Sequence, residues 1–147
     1  MTQATPIRTT PIRVFLVDDQ TLVRQGIRSL LALAEGIEVV AEASDGRQAV
    51  EQIPGISPDV VLMDMRMPVM SGLEALQAMS RTGTLPPTII LTTFDDDALV
   101  LAGIKAGAKG YLLKDVSLEQ LVNAIQAVAA GGSLVQPAVT QRLLSGL

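Results

Sequence analysis

The amino-acid sequence contains neither cysteine nor histidine among its 147 residues. The lack of cysteine excludes disulfide bonds, thiol nucleophiles and cysteine-bound zinc. The lack of histidine excludes imidazole bases and imidazole metal ligands on this chain. Any phosphohistidine that takes part in a reaction of this protein therefore belongs to a partner.

Long apolar runs and clusters of basic residues are missing as well. No apolar run approaches the roughly 18 residues that a membrane span needs, and residues 1–6 have no apolar signal-peptide core. The 11 basic residues are scattered and the net charge is -4, whereas binding to nucleic acid calls for clustered Lys and Arg. We therefore expect a cytoplasmic protein that contacts no membrane and, through these residues, no DNA.

Length and composition predict one folded domain with short tails. A hydrophobic content of 48% with 18% charged residues is typical of a globular protein, and 147 residues suffice for one sizeable core. Residues 1–11 hold two prolines and no apolar periodicity, which predicts a flexible leader. The folded domain is expected over residues 12–131, and residues 132–147 are expected to form a linker or a short extra helix over 137–144.

Five short apolar or β-branched runs predict five strands. They lie at residues 12–17, 37–43, 59–64, 88–92 and 109–113. Each run is followed by a segment with apolar residues at helical spacing. Strict alternation of strand and helix implies right-handed crossovers. The sequence therefore predicts a doubly wound α/β fold, with a five-stranded parallel sheet covered by helices on both faces.

Several predicted helices carry start and stop signals. Ser71 with Glu74, and Ser117 with Gln120, fit capping boxes, in which the two side chains satisfy each other's backbone amides. Pro54 and Gly55 form a pair that commonly ends a helix, here the second one. The helices of the predicted fold are therefore bounded by local chemistry as well as by packing.

Polar side chains follow four of the predicted strands where each strand ends. They are Asp18 and Asp19, then Asp64, Thr92 and Lys114. In a parallel sheet these positions lie along one edge. Two carboxylates about 4 Å apart repel by roughly 4 kcal/mol at an effective dielectric constant of about 20, so positive charge is needed among them. Oxygen ligands suit Mg²⁺, and the set suits phosphoryl transfer to a carboxylate nucleophile.

One known family has this set of residues in the same order. The residues are Asp18, Asp19, Asp64, Met65, Arg66, Met67, Pro68, Gly72, Thr92, Tyr111 and Lys114. Over residues 12–130 the sequence resembles the response-regulator receiver domain of two-component signalling. The resemblance implies a flavodoxin-like (βα)5 fold with strand order 2-1-3-4-5. It also implies a signalling switch that catalyses its own phosphorylation and dephosphorylation, and not an enzyme acting on other substrates.

The resemblance implies a role for each acidic residue of the set. Asp64 would be the phosphoacceptor, taking the phosphoryl group from the phosphohistidine of a cognate histidine kinase or from a small acyl phosphate. Asp19 would bind Mg²⁺ directly and Asp18 largely through water. Asp64 and the backbone carbonyl of Arg66 would complete the protein ligands.

The resemblance also implies how the remaining residues act. Lys114 would pair with the phosphoryl group, and Thr92 would move to hydrogen-bond it. Tyr111, an aromatic residue on the fifth strand, would turn inward when Thr92 moves and so act as the switch. Many family members have a proline after the lysine, often with a cis peptide bond, but here Asp115 follows Lys114. The geometry of this turn is therefore left open.

Two stretches, residues 91–97 and 107–115, resemble the NarL/FixJ subfamily, whose members usually continue into a LuxR-type helix-turn-helix. We expect DNA binding and transcription regulation only through such a domain, which lies outside these residues. We also expect a homodimer on phosphorylation, through a surface over the fourth and fifth helices. Leu99 and Ala102 are expected to point outward from the fourth helix.

Three other functions are weighed against this one. A haloacid-dehalogenase-like phosphatase normally has a second Asp two residues after its nucleophile, where this chain has Arg66. A nucleotide-binding Rossmann domain has no support, because no predicted strand is followed by Gly-x-Gly-x-x-Gly. A receiver fold used as a phosphorylation-independent interaction module remains open, although the complete set of acceptor residues argues against it.

Overall fold

The computed structural model describes residues 10–93 and 97–135 of the chain. Strands and helices alternate throughout this part. Their order is β1 Ile12–Val17, α1 Thr21–Ala32, β2 Ile37–Ala43, α2 Gly46–Ile56, β3 Val60–Asp64, α3 Gly72–Thr82, β4 Thr88–Thr92, α4 Asp97–Lys105, β5 Gly110–Leu113, α5 Leu118–Ala129 and β6 Leu134–Val135. None of the helices in the described ranges has the length and apolar character needed to cross a membrane.

The predicted α/β fold and the strand order 2-1-3-4-5 are confirmed, and all neighbouring strands are parallel. The structure adds a sixth strand of two residues, β6, which pairs with β5 through Leu134 opposite Gly110 and Val135 opposite Tyr111. Residues 134–135, which lie within the segment expected to be a linker or a short extra helix, thus form a strand. Leu134 and Val135 bond to backbone groups of β5 that would otherwise form an open edge of the sheet. The predicted helix over 137–144 lies outside the described residues.

Successive residues of β1 alternate between two hydrophobic cores. Val14 and Leu16 belong to the cluster under α1 and α5, whereas Phe15 and Val17 belong to the cluster under α2 and α3. β3 is buried at all of its positions, as expected for a parallel strand with helices on both faces. The sheet is therefore the central layer of the fold, and its carboxyl edge carries the polar side chains.

The helix boundaries agree with the start signals in the sequence for α3 and α5 but not with the stop signal for α2. Both predicted capping boxes are present, at the starts of α3 and α5. The expectation that Pro54 and Gly55 end α2 is wrong, because the helix runs on to Ile56. Proline removes the hydrogen bond of its own amide, which is tolerable in a last turn held by other contacts. The helix ends at Ser57, which has a left-handed φ of 51° and whose amide donates to the Ile53 carbonyl.

The sequence predicts that Leu99 points outward from α4, but in the structure it does not. It is half-buried against a third cluster, which includes Ile90 and Tyr111. Gly103 lies one turn further along α4, on the same face, and a β-carbon there would come within 2.3 Å of Ile90 Cδ1. The absence of a side chain at Gly103 lets α4 approach β4 closely, and this approach covers Leu99. Ala102 is likewise half-buried.

Candidate functional site

Asp64 is the last residue of β3 and is buried. The chain turns away from the sheet directly after it, and Gly72 begins α3 against this turn. A β-carbon at Gly72 would lie 2.2 Å from the Asp64 carbonyl oxygen and 2.9 Å from Met65 Cα. The amide of Gly72 donates to the Met65 carbonyl at 3.1 Å. Glycine at the start of α3 is therefore what allows the helix to pack against the peptide that carries Asp64.

Asp18 follows β1 and is fully buried, whereas its neighbour Asp19 is exposed. The Asp18 amide donates to the Ala43 carbonyl of β2 at 3.1 Å. Its carboxylate Oδ1 accepts from the Gln20 amide at 2.8 Å. Carboxylate oxygens of Asp18, Asp19 and Asp64 lie within 4.8 Å of one another. The fold thus brings together the three carboxylates that the sequence predicts at one edge.

Lys114 lies between two of these carboxylates. Its ammonium Nζ is 3.2 Å from Asp64 Oδ2 and 3.3 Å from Asp18 Oδ2. The Lys114 amide donates to the Thr92 carbonyl at 2.9 Å, which fixes the end of β5 beside the end of β4. The peptide bond from Lys114 to Asp115 is trans, so the turn without proline still delivers the lysine to the cluster.

The pKa values of Asp64 and Lys114 reflect this arrangement. Burial raises the pKa of Asp64 above its ordinary value; the nearby charge of Lys114 opposes the rise, and the charge of Asp18 adds to it. Burial acts to lower the pKa of Lys114, but the negative charges of Asp64 and Asp18 outweigh it and raise that pKa. The lysine is thus held as a cation, and Asp64 holds its negative charge in an unfavourable environment.

The donor set fits a hard divalent cation. Its three protein side chains offer only carboxylate oxygen, the ligand type that Mg²⁺ prefers. Asp18 Oδ2 is buried and meets no donor with acceptable hydrogen-bond geometry in the described part of the chain, although Lys114 lies at ion-pair distance. Asp64 Oδ1 is only weakly engaged, by the Arg66 amide at 3.4 Å. Carboxylate capacity therefore remains for a cation at this edge.

Thr92 and Tyr111 occupy neighbouring strands beside the carboxylates. Thr92 is buried, and its hydroxyl donates to the Thr93 carbonyl at 3.2 Å. A cleft of about 200 Å³ lined by Thr92, Thr93, Leu113, Lys114 and Asp115 opens next to the cluster. Tyr111 is fully buried in the cluster under α4. In this structure the aromatic ring already lies inside the fold.

The sequence did not identify Arg24, which reaches the acidic loop from α1. Its guanidinium Nη1 donates to the Asp18 carbonyl at 2.6 Å. The signal in the sequence is slight, because a basic residue on the first helix is most often solvated. Only the folded arrangement of β1, α1 and β2 shows that this side chain turns back toward Asp18.

Comparisons with known proteins agree with the geometry. The family described as "Response regulator receiver domain" matches residues 14–126. Transcriptional regulatory protein LnrK of Bacillus subtilis (strain 168) is 40% identical over 134 residues, which are 91% of this chain and 61% of that protein. Nitrate/nitrite response regulator protein NarP of Escherichia coli (strain K12) is 47% identical over 134 residues, which are 91% of this chain and 62% of that protein.

A solved structure extends the likeness to three dimensions. The crystal structure of a two-component response regulator, LuxR family, from Aurantimonas sp. SI85-9A1 superposes with a TM-score of 0.84 at 33% identity. The superposition covers 93% of this chain and 98% of that one. The chain spans 61% to 62% of the length of the two curated relatives above.

Proposed function

The chain belongs to the response regulator receiver domain family, and we propose that Asp64 is its phosphoacceptor. One observation carries this assignment. The ammonium of Lys114 lies 3.2 Å from Asp64 and 3.3 Å from Asp18, at the carboxyl edge of the sheet. A carboxylate that is partly neutralised by a fixed cation is placed to attack a phosphoryl group.

The proposed step moves one phosphoryl group onto Asp64. A carboxylate oxygen of Asp64 forms the new bond to phosphorus, and the phosphorus–nitrogen bond of a kinase phosphohistidine breaks, leaving its electron pair on the imidazole. With a small acyl phosphate, the phosphorus–oxygen bond breaks instead and a carboxylate leaves. Lys114 neutralises charge that gathers on the phosphoryl oxygens, as such transfers require.

Mg²⁺ is the proposed cofactor, since the carboxylate donors fit it. Asp19 is proposed as a direct ligand and Asp18 as a ligand through water. Asp64 and the backbone carbonyl of Arg66 complete the proposed protein ligands. When bound, the ion supplies positive charge that offsets the negative oxygens of the phosphoryl group. The carboxylates of Asp18, Asp19 and Asp64 lie close together, where the ion would bind.

The readout is proposed to pass through Thr92 and Tyr111. Thr92 turns its hydroxyl from the Thr93 carbonyl toward a phosphoryl oxygen on Asp64. The space that Thr92 leaves is next to β5, where Tyr111 is buried beneath α4. We propose that phosphorylation favours this buried position of the Tyr111 ring over its other positions.

Partners and output are proposed on the family and on the names of the relatives. A cognate histidine kinase supplies the phosphoryl group, and phosphorylation promotes a homodimer over α4 and α5. Two relatives are named as regulators, one of them of transcription. Transcription control is therefore proposed, with DNA contacted by a helix-turn-helix domain outside these residues. The receiver unit is proposed over residues 12–131, and its location as cytoplasmic.

Phosphorylation of the purified chain tests the assignment. Acetyl phosphate with Mg²⁺ is expected to add the mass of one phosphoryl group to the intact protein, and EDTA is expected to prevent the addition. Asp64→Asn is expected to abolish it. Asp115→Asn removes an exposed carboxylate next to Lys114 and is expected to leave the labelling intact.

An unlabelled parent chain would contradict the proposal if a second receiver domain is labelled in the same reaction mixture. That outcome would favour an interaction module that works without phosphorylation. Labelling that survives Asp64→Asn but is lost in Asp115→Asn would identify Asp115, and not Asp64, as the acceptor.

A further inference from the structure

The loop that carries Asp18 and Asp19 has one local anchor, the bond from the Gln20 amide to Asp18 Oδ1. Gln20, the residue before α1, makes no side-chain cap to the helix among the described residues. The next two residues, Thr21 and Leu22, are exposed, and Leu22 is 83% exposed. Neither a helix cap nor an apolar anchor therefore fixes the path of the chain from Asp19 into α1.

Arg24 makes the missing connection. Its Nη1 donates to the Asp18 carbonyl at 2.6 Å, and its Nε donates to Glu42 Oε1 at 3.1 Å. Glu42 lies on β2, and the Arg24 side chain is only 17% exposed. A guanidinium is planar and presents its donors in a fixed geometry. It thus joins the loop after β1 to the neighbouring strand.

The accepting carbonyl belongs to the peptide that links Asp18 to Asp19. Asp18 is held at three other points as well: its amide by Ala43, its Oδ1 by the Gln20 amide and its Oδ2 by Lys114. Of these, the bond from the Gln20 amide closes a turn that spans the Asp18–Asp19 peptide, and the bond from Arg24 adds a second constraint, on the carbonyl of that peptide. The direction in which the Asp19 carboxylate leaves the loop depends on the plane of that peptide.

Arg28 provides an internal comparison. It lies one turn further along α1 and also pairs with Glu42. Its side chain is 57% exposed. Among the described residues, Arg28 forms an ion pair with Glu42 alone. Both arginines therefore tie α1 to β2, but only Arg24 reaches the acidic loop.

We propose that Arg24 is a positioning residue for the cation site: its bond to the Asp18 carbonyl orients the Asp18–Asp19 peptide and hence the Asp19 carboxylate. This inference rests on the proposed Mg²⁺-dependent phosphoacceptor site. Partners that orient metal ligands typically change metal affinity by about 10- to 100-fold when they are removed. Glu42 acts one step further out, by fixing the guanidinium.

Direct cation binding to the unphosphorylated chain tests the inference. The dissociation constant for Mg²⁺ is measured by NMR titration of backbone amides, for the parent chain, Arg24→Ala, Arg24→Lys and Arg28→Ala. Arg24→Ala is expected to bind Mg²⁺ roughly tenfold more weakly. Arg24→Lys keeps the positive charge but loses the planar arrangement of donors, and is expected to bind Mg²⁺ with intermediate affinity. Arg28→Ala is expected to match the parent.

Two further readouts separate positioning from simple stabilisation. Urea unfolding in EDTA measures the structural contribution, and Arg24→Ala is expected to lose more stability than Arg28→Ala, because it removes the bond to the Asp18 carbonyl as well as one to Glu42. Phosphorylation by acetyl phosphate is expected to need more Mg²⁺ in Arg24→Ala, yet to approach the parent rate when Mg²⁺ saturates. A purely structural role would not shift the Mg²⁺ requirement.

An unchanged Mg²⁺ dissociation constant in Arg24→Ala would overturn the inference, as would an equal weakening in Arg28→Ala. If Arg24→Ala does not fold, Arg24→Lys decides in the same way. A parent chain that binds Mg²⁺ but accepts no phosphoryl group would refute the proposed function and leave the role of Arg24 standing. A parent chain that is phosphorylated, together with an Arg24→Ala variant that binds Mg²⁺ as tightly as the parent, would support the proposed function and overturn the role of Arg24.

Discussion

At the scale of single residues, Asp64 holds a negative charge where the fold makes that charge unfavourable. Its side chain is removed from water and faces Asp18, with Lys114 as the compensating cation. Two anions share one lysine, which leaves the cluster short of positive charge. A bound cation, or a phosphoryl group held by one, would relieve this shortage.

Stability measurements should reveal the shortage directly. Because the folded-state pKa of Asp64 lies above its ordinary value, its contribution to stability is greatest below the unfolded-state pKa and falls as pH rises through the folded-state pKa. Neutralising it with Asp64→Asn is therefore expected to raise the urea midpoint at pH 7 in EDTA. Adding Mg²⁺ is expected to stabilise the parent more than the variant, since binding to the folded state stabilises it.

Glu51→Gln is the control for this prediction. Glu51 is an exposed carboxylate on α2 that pairs with Arg47, so its removal is expected to change stability little. A lower midpoint for Asp64→Asn than for the parent in EDTA would mean that Lys114 more than compensates both anions. The idea of an unsatisfied cluster would then be wrong.

Gly72 gives a second prediction at this scale. A β-carbon there would press on the Asp64 carbonyl and Met65 Cα, so Gly72→Ala is expected to cost roughly 1–3 kcal/mol of unfolding free energy. It is also expected to slow labelling by acetyl phosphate, because the strain falls on the peptide that carries Asp64. Urea unfolding and intact-protein mass spectrometry measure the two effects.

Gly26→Ala is the matched substitution. Gly26 lies within α1, and a β-carbon there would meet nothing within 4 Å. Replacing this helix-interior glycine by alanine is expected to raise the free energy of unfolding by about 0.5–1 kcal/mol. If both variants gained stability, the close packing of α3 against β3 would not be a real constraint.

At the scale of elements, the helices differ in how they begin. α3 and α5 each start with a complete capping box, whereas Gln20, the residue before α1, makes no side-chain cap in the described structure. α3 and α5 are thus anchored locally. The start of α1, next to the acidic loop, depends on longer-range contacts such as that of Arg24.

The cap of α5 is expected to matter measurably. Ser117→Ala removes the hydroxyl that accepts from the Gln120 amide and is expected to cost about 0.5–2 kcal/mol. Ser29→Ala, at an exposed interior position of α1, is expected to gain up to about 0.5 kcal/mol, since alanine is the better helix former. Equal effects of the two substitutions on urea unfolding would show that the α5 cap adds nothing.

The sequence predicts the five strands well because four of them are short apolar runs that stop at a polar residue, and the other, Ile37–Ala43, partly alternates between apolar and polar residues. It fails where the deciding contact is distant. The short strand β6 exists because β5 offers it an edge, and α2 passes Pro54 because the last turn is held from outside. Arg13 donates from its guanidinium to the Ile56 and Ser57 carbonyls at 2.8 Å, a contact between segments more than 40 residues apart that no local pattern indicates.

At the scale of the whole molecule, the parallel sheet makes the site predictable. Residues that end separate strands must meet at one edge, so Asp18, Asp64 and Lys114 could be grouped from the sequence before their distances were known. Arg24 could not be grouped with them, because its role depends on a side chain that folds back from α1. The inward position of Tyr111 depends in the same way on how α4 packs over β4 and β5.

The proposed homodimer over α4 and α5 involves the surface of the whole molecule. Leu99 packs against the core, so replacing it would disturb the fold, whereas Ala98 on the same helix is exposed. Ala98→Glu is expected to weaken association of the phosphorylated chain roughly tenfold, about 1.4 kcal/mol, measured by sedimentation. Ala32→Glu, at an exposed position of α1, is the control. Unchanged association in Ala98→Glu would exclude this face of α4 from the dimer.

The identity of the phosphorylated residue is the most direct test of the account. After treatment with acetyl phosphate and Mg²⁺, reduction with borohydride converts an aspartyl phosphate into homoserine, which peptide mass spectrometry can locate. Homoserine is expected at position 64 and at neither position 18 nor position 19. Homoserine at either of those positions, or a phosphoryl group on a hydroxyl side chain such as that of Thr92, would contradict it.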